Sequence, residues 1–327
     1  MEFGIWNFLE FGFVVVYILY IIGSLIVLYF GANFLVKGAS SLAERLGVSS
    51  LVVGLTVVAF GTSTPELIVS VQAAMDGLGG ISIGNVVGSN IANIGFILGI
   101  SALIYPLKAH MQLIRIDTPI MILTSLILMV LFLDNHIGRI EGFMFVLAIV
   151  GYTIFNIVKS RKEHQKIVLK EFEDSVPKVT RHWALDVLFI IAGLAALIIG
   201  SEFLVKNAVN LARMIGLSEA VIGLTIVAVG TSTPELATSI VAALKKQPDI
   251  AIGNVVGSNI FNILGILGVA SLVKPISTPD INLADMFVMI GMSLLLLPFI
   301  KSGFTLRRWE GALLLALYIG YVIYLLL

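Results

Sequence analysis

The chain contains no cysteine, which excludes disulfides and thiolate metal sites. Charged residues make up only 12% of it, and its formal net charge of zero indicates no polyanionic partner such as a nucleic acid. In contrast, 58% of the residues are hydrophobic and the mean hydropathy is +1.06. A chain with so few polar side chains cannot cover its apolar surface in water, so the composition predicts an all-α integral membrane protein.

Apolar windows of about 20 residues predict ten membrane-spanning helices, five in each half of the chain. They lie near 12–43, 49–75, 81–105, 117–134 and 140–159, and then near 184–213, 218–244, 250–273, 283–301 and 309–327. The predicted organisation is a stub at 1–11, a first five-helix repeat at 12–159, a linker at 160–182 and a second repeat at 183–327. The first helix lacks a cleavage-site pattern, so it is predicted to span the membrane and not to be a signal peptide.

The two halves carry the same sequence motifs. GTSTPEL occurs at 61–67 and again at 230–236, and ISIGNVVGSNIANIGFILGI at 81–100 is answered by IAIGNVVGSNIFNILGILGV at 250–269. The register between the copies does not slip, which indicates a duplication of one unit. Because each unit has an odd number of predicted helices, the second must enter the membrane from the opposite side, and the repeats are predicted to be inverted.

The distribution of basic residues gives an orientation that does not depend on the repeats. If the linker is cytoplasmic, nearly all Lys and Arg residues lie on its side of the membrane, as the positive-inside rule expects. The exceptions are Arg139, Lys206, Arg213 and Lys274. The chain is therefore predicted to be a multi-pass protein of the cell membrane, with both termini outside.

The doubled GTSTPEL motif places Glu66 and Glu235 inside predicted spans. A charge at the bilayer centre costs about 2.5–3.5 kcal/mol on insertion scales, so two carboxylates there indicate a cation site. Pro65 and Pro234 each remove a helix donor and predict a break in the helix, which is tolerated where backbone lines a cavity. The motif supplies carbonyl oxygens, one carboxylate per copy, and the hydroxyls of Thr62, Ser63, Thr231 and Ser232.

The GNVVGSNI motif is predicted to supply further oxygen atoms from the third and eighth helices. Residues spaced four apart share one helical face, and this applies to Asn85, Ser89 and Asn93 and to Asn254, Ser258 and Asn262. Asn85, Asn90, Asn254 and Asn259 are predicted to brace the helices and not to bind ions. Oxygen-rich sites suit hard cations such as calcium and sodium. The histidines all lie in loops or at span ends, which argues against a transition-metal site in the core.

These paired motifs resemble the alpha repeats of the calcium/cation antiporter superfamily, and most closely those of prokaryotic sodium/calcium exchangers. The resemblance implies an antiporter that exchanges sodium for calcium by alternating access, with no cofactor and with the ions bound midway between the repeats. Glu66 and Glu235 would be shared by calcium and sodium, and Asn93 and Asn262 would lie beside the central position. The other implied ligands are the hydroxyls of Thr62, Ser63, Thr231, Ser232, Ser89 and Ser258 and the backbone carbonyls of Ala59 and Ala228.

Both Asn93 and Asn262 are amides here, whereas potassium-dependent relatives are known for an aspartate at one of these positions. Two negative charges suffice for one calcium ion but suit calcium and potassium together poorly, so potassium co-transport is disfavoured. Proton-coupled relatives usually lack the proline, but a desolvated glutamate can take a proton, and proton/calcium exchange or other cation/calcium exchange stays an alternative.

Two other classes fit the residues less well. A cation channel is the weaker alternative, since channels usually assemble a ring of charges from several subunits, whereas this chain brings two halves together. The same reasoning predicts a monomer that contacts only ions and lipid. An intramembrane hydrolase would need a nucleophile with a base, and neither His nor Cys lies near Ser63 or Ser232, so no enzyme is predicted.

Overall fold

The structure is a computed structural model that describes residues 2–170, 182–214, 228–277 and 283–326. Nearly all of these residues are helical. Eight helices in the described ranges are long and apolar enough to cross a membrane, and a bent pair of helices makes a ninth. The chain is therefore a multi-pass membrane protein.

The helices and strands follow the same order in both halves of the chain. The first half contains α1 (Glu2–Leu46), α2 (Ser50–Thr62), α3 (Thr64–Met75), α4 (Gly79–Ile104), β1 (Leu107–Lys108), α5 (Leu113–Leu131), β2 (His136–Ile137) and α6 (Arg139–Lys170). The second half contains α7 (Trp183–Met214), α8 (Ala228–Thr231), α9 (Thr233–Leu244), α10 (Pro248–Val273), β3 (Ile276–Ser277), α11 (Leu283–Lys301), β4 (Thr305–Leu306) and α12 (Arg308–Leu326). Counterpart residues of the two halves lie 169 positions apart, as Asn90 and Asn259 do.

Two of the predicted boundaries differ from the structure, and a third lies outside the described residues. The stub predicted at 1–11 is helical from Glu2 and continuous with α1. The fifth predicted helix does not stop at 159, because α6 continues to Lys170 through the first part of the predicted linker. The seventh predicted helix, 218–244, is represented by α8 and α9, and its first part lies outside the described residues. The count of ten spans therefore stays a prediction.

The second predicted helix is bent at Ser63. Its two pieces, α2 and α3, meet at an angle of 49°. Ser63 itself leaves the helical region of the backbone, with φ −84° and ψ 12°. Pro65 lies in the first turn of α3, where its missing N–H costs no helical hydrogen bond. Ser232 has nearly the same dihedral angles before α9, so the two proline motifs form equivalent breaks.

The motif helices α4 and α10 form the centre of the bundle. In their most apolar windows 72% and 83% of the residues are buried, against 17% to 28% in α1, α6, α7 and α12. Both central helices contain a π-helical turn, Asn93–Leu98 in α4 and Asn262–Leu267 in α10. Such turns are often found at functional sites, and each begins at the asparagine predicted to lie beside the ions.

Two short ribbons join the halves to each other. β1 pairs with β4 in antiparallel register, with Leu107 opposite Leu306. β2 pairs with β3 in the same way, with Ile137 opposite Ile276. Each residue of one ribbon has its counterpart in the other, because exchanging the halves exchanges the two ribbons. The strand pairing therefore follows a pseudo-two-fold axis between the halves.

The long helices α1 and α7 pack closely against one another. A Cβ atom added at Gly193 of α7 would lie 2.6 Å from the backbone nitrogen of Leu35, so only glycine fits at this crossing. At one end of the pair, Arg45 of α1 forms a 3.1 Å ion pair with Asp186, which is fully buried near the start of α7. This end of the pair lies where α6 leaves the bundle and α7 enters it. These contacts join α1 and α7 into one unit.

The unit of α1 and α7 packs differently against the two halves of the chain. α1 packs along α9, whereas α7, the counterpart of α1, barely touches α3. Lys245, after α9, donates hydrogen bonds to the side chain and the backbone carbonyl of Asn33 in α1. Val69 on α3 is 38% exposed, but its counterpart on α9, Thr238, is 0% exposed. The bundle is thus closed over the broken helix of the second half and open over that of the first.

Candidate ion-binding site

The helix breaks place one glutamate from each half in the protein interior. Glu66 lies in the first turn of α3 and Glu235 in the first turn of α9, and both are 1% exposed. The N-terminus of a helix carries a partial positive charge that stabilises a carboxylate there by about 0.3–1 kcal/mol. This contribution is small against the cost of burying a charge, so the two carboxylates need further compensation.

Each glutamate is bonded by a serine of the opposite half. Ser63 donates a hydrogen bond to Glu235 Oε1 at 2.8 Å, and Ser232 donates one to Glu66 Oε1 at 3.2 Å. The same two serines approach the hydroxyls of the central helices. The distances are 3.0 Å from Ser63 to Ser258 and 3.4 Å from Ser232 to Ser89. The predicted carboxylate and serine ligands are therefore brought together, across the pseudo-two-fold axis.

Asn93 and Asn262 lie beside this cluster at the start of the π-turns, and each is 1% exposed. Their amide nitrogens donate to the opposite half, so Asn93 binds Asn259 Oδ1 at 2.9 Å and Asn262 binds Asn90 Oδ1 at 3.0 Å. Their own Oδ1 atoms accept nothing from the described residues. Bracing by Asn90 and Asn259, as the sequence predicts, is thus confirmed.

Four buried acceptor atoms of the site lack a donor in the part of the chain that the structure describes. They are Glu66 Oε2, Glu235 Oε2, Asn93 Oδ1 and Asn262 Oδ1. A buried acceptor without a partner costs about 1–3 kcal/mol, and more when it is charged. All four atoms are hard oxygen ligands, two from each half, and hard cations are the partners that such atoms suit.

The threonines and alanines predicted as ligands are engaged differently. Thr62 is buried and donates to Asn254 Oδ1 at 3.1 Å, while Thr231 is partly exposed. The Ala59 carbonyl accepts the Ser63 amide at 3.0 Å, so it remains within the helical hydrogen bonding. Ala228 is the first residue of α8 that the structure describes, and its side chain is not among the described ones.

Asn85 and Asn254 hold the two glutamate helices against the central helices. Asn85 donates to the Glu66 carbonyl at 3.2 Å and to Ser70 at 2.9 Å. Asn254 donates to the Glu235 carbonyl at 3.3 Å and to Ser239 at 3.1 Å. The bracing role predicted for both asparagines is confirmed. Sequence reasoning missed their partners Ser70 and Ser239, although both keep the offset of the repeat.

Sequence reasoning also missed Ser201. Pro234 cannot donate to the carbonyl of Gly230, and Ser201 of α7 does so instead at 2.7 Å. The counterpart of Ser201 in α1 is Ala32, which has no hydroxyl. This contact therefore differs between the halves, and the repeated motifs gave no signal for it.

The negative charge of the site comes from the two glutamates. No group of three or more His, Cys, Asp or Glu side chains that could hold a metal occurs among the described residues. The remaining ligand atoms are neutral hydroxyl and amide oxygens. Such a donor set suits sodium and calcium and not the softer transition metals.

Comparison with known proteins identifies the same two units. The profile of the family described as sodium/calcium exchanger protein matches the chain twice, at residues 16–158 and 185–327. The sodium/calcium exchanger MaX1 of Methanosarcina acetivorans is 36% identical over 336 residues. The match covers 92% of this chain and 96% of MaX1. The putative antiporter CaxA of Alkalimonas amylolytica is 38% identical over 309 residues, covering 93% and 96%.

Solved structures agree with the sequence comparison. A structure of the sodium-calcium exchanger NCX_Mj, soaked with zero Na+ and Ca2+, matches with a TM-score of 0.82 and 34% identity. The match covers 95% of this chain and 99% of that one. With the family profile matching both halves and relatives matching over most of its length, the chain belongs to the sodium/calcium exchanger family.

Proposed function

We propose that the chain is a secondary active antiporter that exchanges sodium for calcium, with the ions bound midway between its halves. The observation that carries this proposal is the set of four buried, unpartnered oxygen atoms at the pseudo-two-fold axis. The carboxylates of Glu66 and Glu235 have the charge to neutralise one calcium ion, which several sodium ions could replace. Because one chain supplies both halves of the site, it needs no second subunit.

The ribbons support ten membrane crossings in inverted halves. Hydrogen-bonded strands lie at the same face of the membrane, so the number of crossings between β1 and β4 must be even. The described spans between them are α5, α6, α7, α10 and α11, which is an odd number. The helix predicted at 218–244 supplies the missing crossing. The pairing of β2 with β3 leads to the same conclusion.

The positive-inside rule places the linker in the cytoplasm and both termini outside. α1 then closes the cytoplasmic side over α9, while the space between α7 and α3 opens toward the outside. In the alternate state the roles of the halves would be exchanged, with α7 closed over α3. Rocking or sliding of a packed pair such as α1 and α7 over a fixed site is a general mode of inverted-repeat transporters.

Coupling follows from electrostatics. Two ionised carboxylates in a low-dielectric core repel each other, so the empty site resists closure from both sides. Calcium or sodium ions relieve this repulsion. They bind more tightly when the two carboxylates are close together, as in the closed state, than when the carboxylates are apart. Only loaded states then cross, and this is the requirement for exchange as opposed to leakage.

The proposal is tested by calcium uptake into proteoliposomes loaded with sodium, potassium or choline. We expect uptake only when sodium is inside, and we expect Glu66→Gln and Glu235→Gln each to abolish it. Glu163→Gln is the matched control, since this glutamate is exposed at the end of α6. It should transport like the unaltered chain.

Each other outcome assigns a different function. Uptake that ignores internal sodium would remove the sodium/calcium assignment. Uptake that is driven by a pH step would indicate proton/calcium exchange. Ion flux without any counter-ion, at rates that do not saturate, would indicate a channel.

A further inference from the structure

Four asparagines form a closed hydrogen-bonded set across the pseudo-two-fold axis. Asn90 donates its amide nitrogen to the backbone carbonyl of Asn259 at 3.2 Å, and Asn259 donates to the backbone carbonyl of Asn90 at 3.4 Å. Both side chains are 1% exposed. The two central helices are thus joined at one level by a reciprocal pair of bonds.

This pair has one possible orientation. A backbone carbonyl can only accept a hydrogen bond, so the NH2 end of each side chain must face it. The Oδ1 ends of Asn90 and Asn259 then point the other way, where they accept from Asn262 at 3.0 Å and from Asn93 at 2.9 Å. The backbone carbonyls therefore fix the amide orientation of Asn90 and Asn259, and these in turn fix that of Asn262 and Asn93.

Asn93 and Asn262 are consequently held with their NH2 groups on Asn259 and Asn90 and with their buried Oδ1 atoms unpartnered among the described residues. A carboxamide is nearly symmetric in shape but not in charge. Its oxygen attracts a cation, and its NH2 group repels one. Whether these residues assist or oppose ion binding therefore depends on which end faces the site.

We infer that Asn90 and Asn259 are positioning residues that set the cation affinity of the site by fixing the amide orientation of Asn93 and Asn262. They act without touching the ion. This inference rests on the proposed function for the identity of the ions. It adds a role to residues outside the ligand set, and it attributes part of the affinity to an orientation.

The inference predicts that the effect of one substitution depends on the residue at position 93, which simple packing would not produce. Asn259→Leu keeps much of the side-chain volume but removes the acceptor for Asn93, which can then turn its NH2 group toward the ion. In an Asn93→Asp background both terminal atoms are oxygens, so no orientation needs to be fixed. Moreover, Asn259 Oδ1 would face a carboxylate oxygen there, and its removal relieves a repulsion.

The experiment measures the binding of radioactive Ca2+ to the full-length chain in lipid nanodiscs for four proteins. These are the unaltered chain, Asn259→Leu, Asn93→Asp and the double variant. We expect Asn259→Leu to weaken Ca2+ binding about tenfold in the unaltered background. In the Asn93→Asp background the same substitution should change it less than about twofold. The mirrored set, Asn90→Leu with Asn262→Asp, repeats the test if one variant does not fold.

An equal loss in both backgrounds would overturn the inference and leave Asn259 as a packing residue, and so would the absence of any loss in the unaltered chain. Sodium-driven uptake by the unaltered protein is measured in parallel. A chain that binds Ca2+ but shows no such uptake would contradict the proposed function, while the ratio between backgrounds would still decide the orientation of the amides.

Discussion

Lys245 at the end of α9 is bound to Asn33 of α1, and one repeat away the same two positions hold Asp76 and Glu202. A second bond, from Ser40 to Gln247 at 3.0 Å, joins the same two elements. Asp76 and Glu202 are both exposed, and two carboxylates cannot form a bond equivalent to that of Lys245 and Asn33. The contact that holds α1 closed therefore has no attractive counterpart for α7.

If the halves exchange roles during transport, Asp76 must approach Glu202 as Lys245 approaches Asn33 here. Because the chain lacks native cysteine, pairs of cysteines can report this directly. We expect an Asn33→Cys, Lys245→Cys pair to be joined by a short bifunctional reagent in the state of this structure. An Asp76→Cys, Glu202→Cys pair should react only while the protein exchanges ions. Failure of the second pair to react during exchange would contradict the proposed motion.

Asp76→Lys should stabilise the opposite state, because it places a cation where it can meet Glu202. An exposed ion pair contributes about 0.2–1 kcal/mol, so we expect a shift of about 1.4- to fivefold in the ratio of the two states. Cross-linking of Asn33→Cys with Lys245→Cys should fall, by at most that factor. Asp76→Asn is the control, which removes the repulsion without adding an attraction and should give a smaller shift. Equal cross-linking in all three proteins would count against this explanation.

The crossed bonds predict energetic coupling between the halves. We expect Ser63→Ala and Glu235→Gln to couple in Ca2+ affinity by at least about 0.5 kcal/mol, since Ser63 donates to Glu235. Ser63→Ala with Glu66→Gln should couple less, although these residues are neighbours in sequence. The measurement is a pair of double-mutant cycles in Ca2+ binding. A stronger coupling within one half than between the halves would show that the crossed bonds are unimportant for binding.

The ion pair between Arg45 and the buried Asp186 should stabilise the packing of α1 on α7. Arg45→Gln removes the cation beside the fully buried Asp186 carboxylate, so we expect a loss of about 1–3 kcal/mol in the free energy of unfolding. Adding Asp186→Asn should recover part of this loss, because the buried negative charge is then removed. Thermal unfolding in lipid is the measurement, with Glu44→Gln as an exposed neighbouring control. A double variant less stable than Arg45→Gln alone would contradict this account.

The sequence predicted the parts of the site that depend on local chemistry. Pro65 and Pro234 indicated breaks, and the structure has them at Ser63 and Ser232. The polar stripe of the GNVVGSNI motif indicated the bracing asparagines, because polar side chains inside spans commonly join neighbouring helices. These signals are local, so they can be recognised in the sequence without knowledge of the packing.

Other features depend on contacts that no local pattern specifies. The two GTSTPEL motifs are identical, yet α1 closes over one broken helix and α7 leaves the other open. Identical motifs cannot predict which half is closed. Likewise, the direction of Asn93 is fixed by Asn259, which lies in the other half of the chain.

β1 and β2 belong to the same half, yet each of them pairs with a strand of the other half. A half-chain produced alone would present two unpaired strands and one side of a carboxylate cluster. Two copies of that half, inserted in opposite directions, would satisfy both sets of contacts together. The strand ribbons and the carboxylate cluster are thus the interfaces of a two-fold symmetric homodimer, and the covalent link between the halves makes permanent an association that these surfaces already specify.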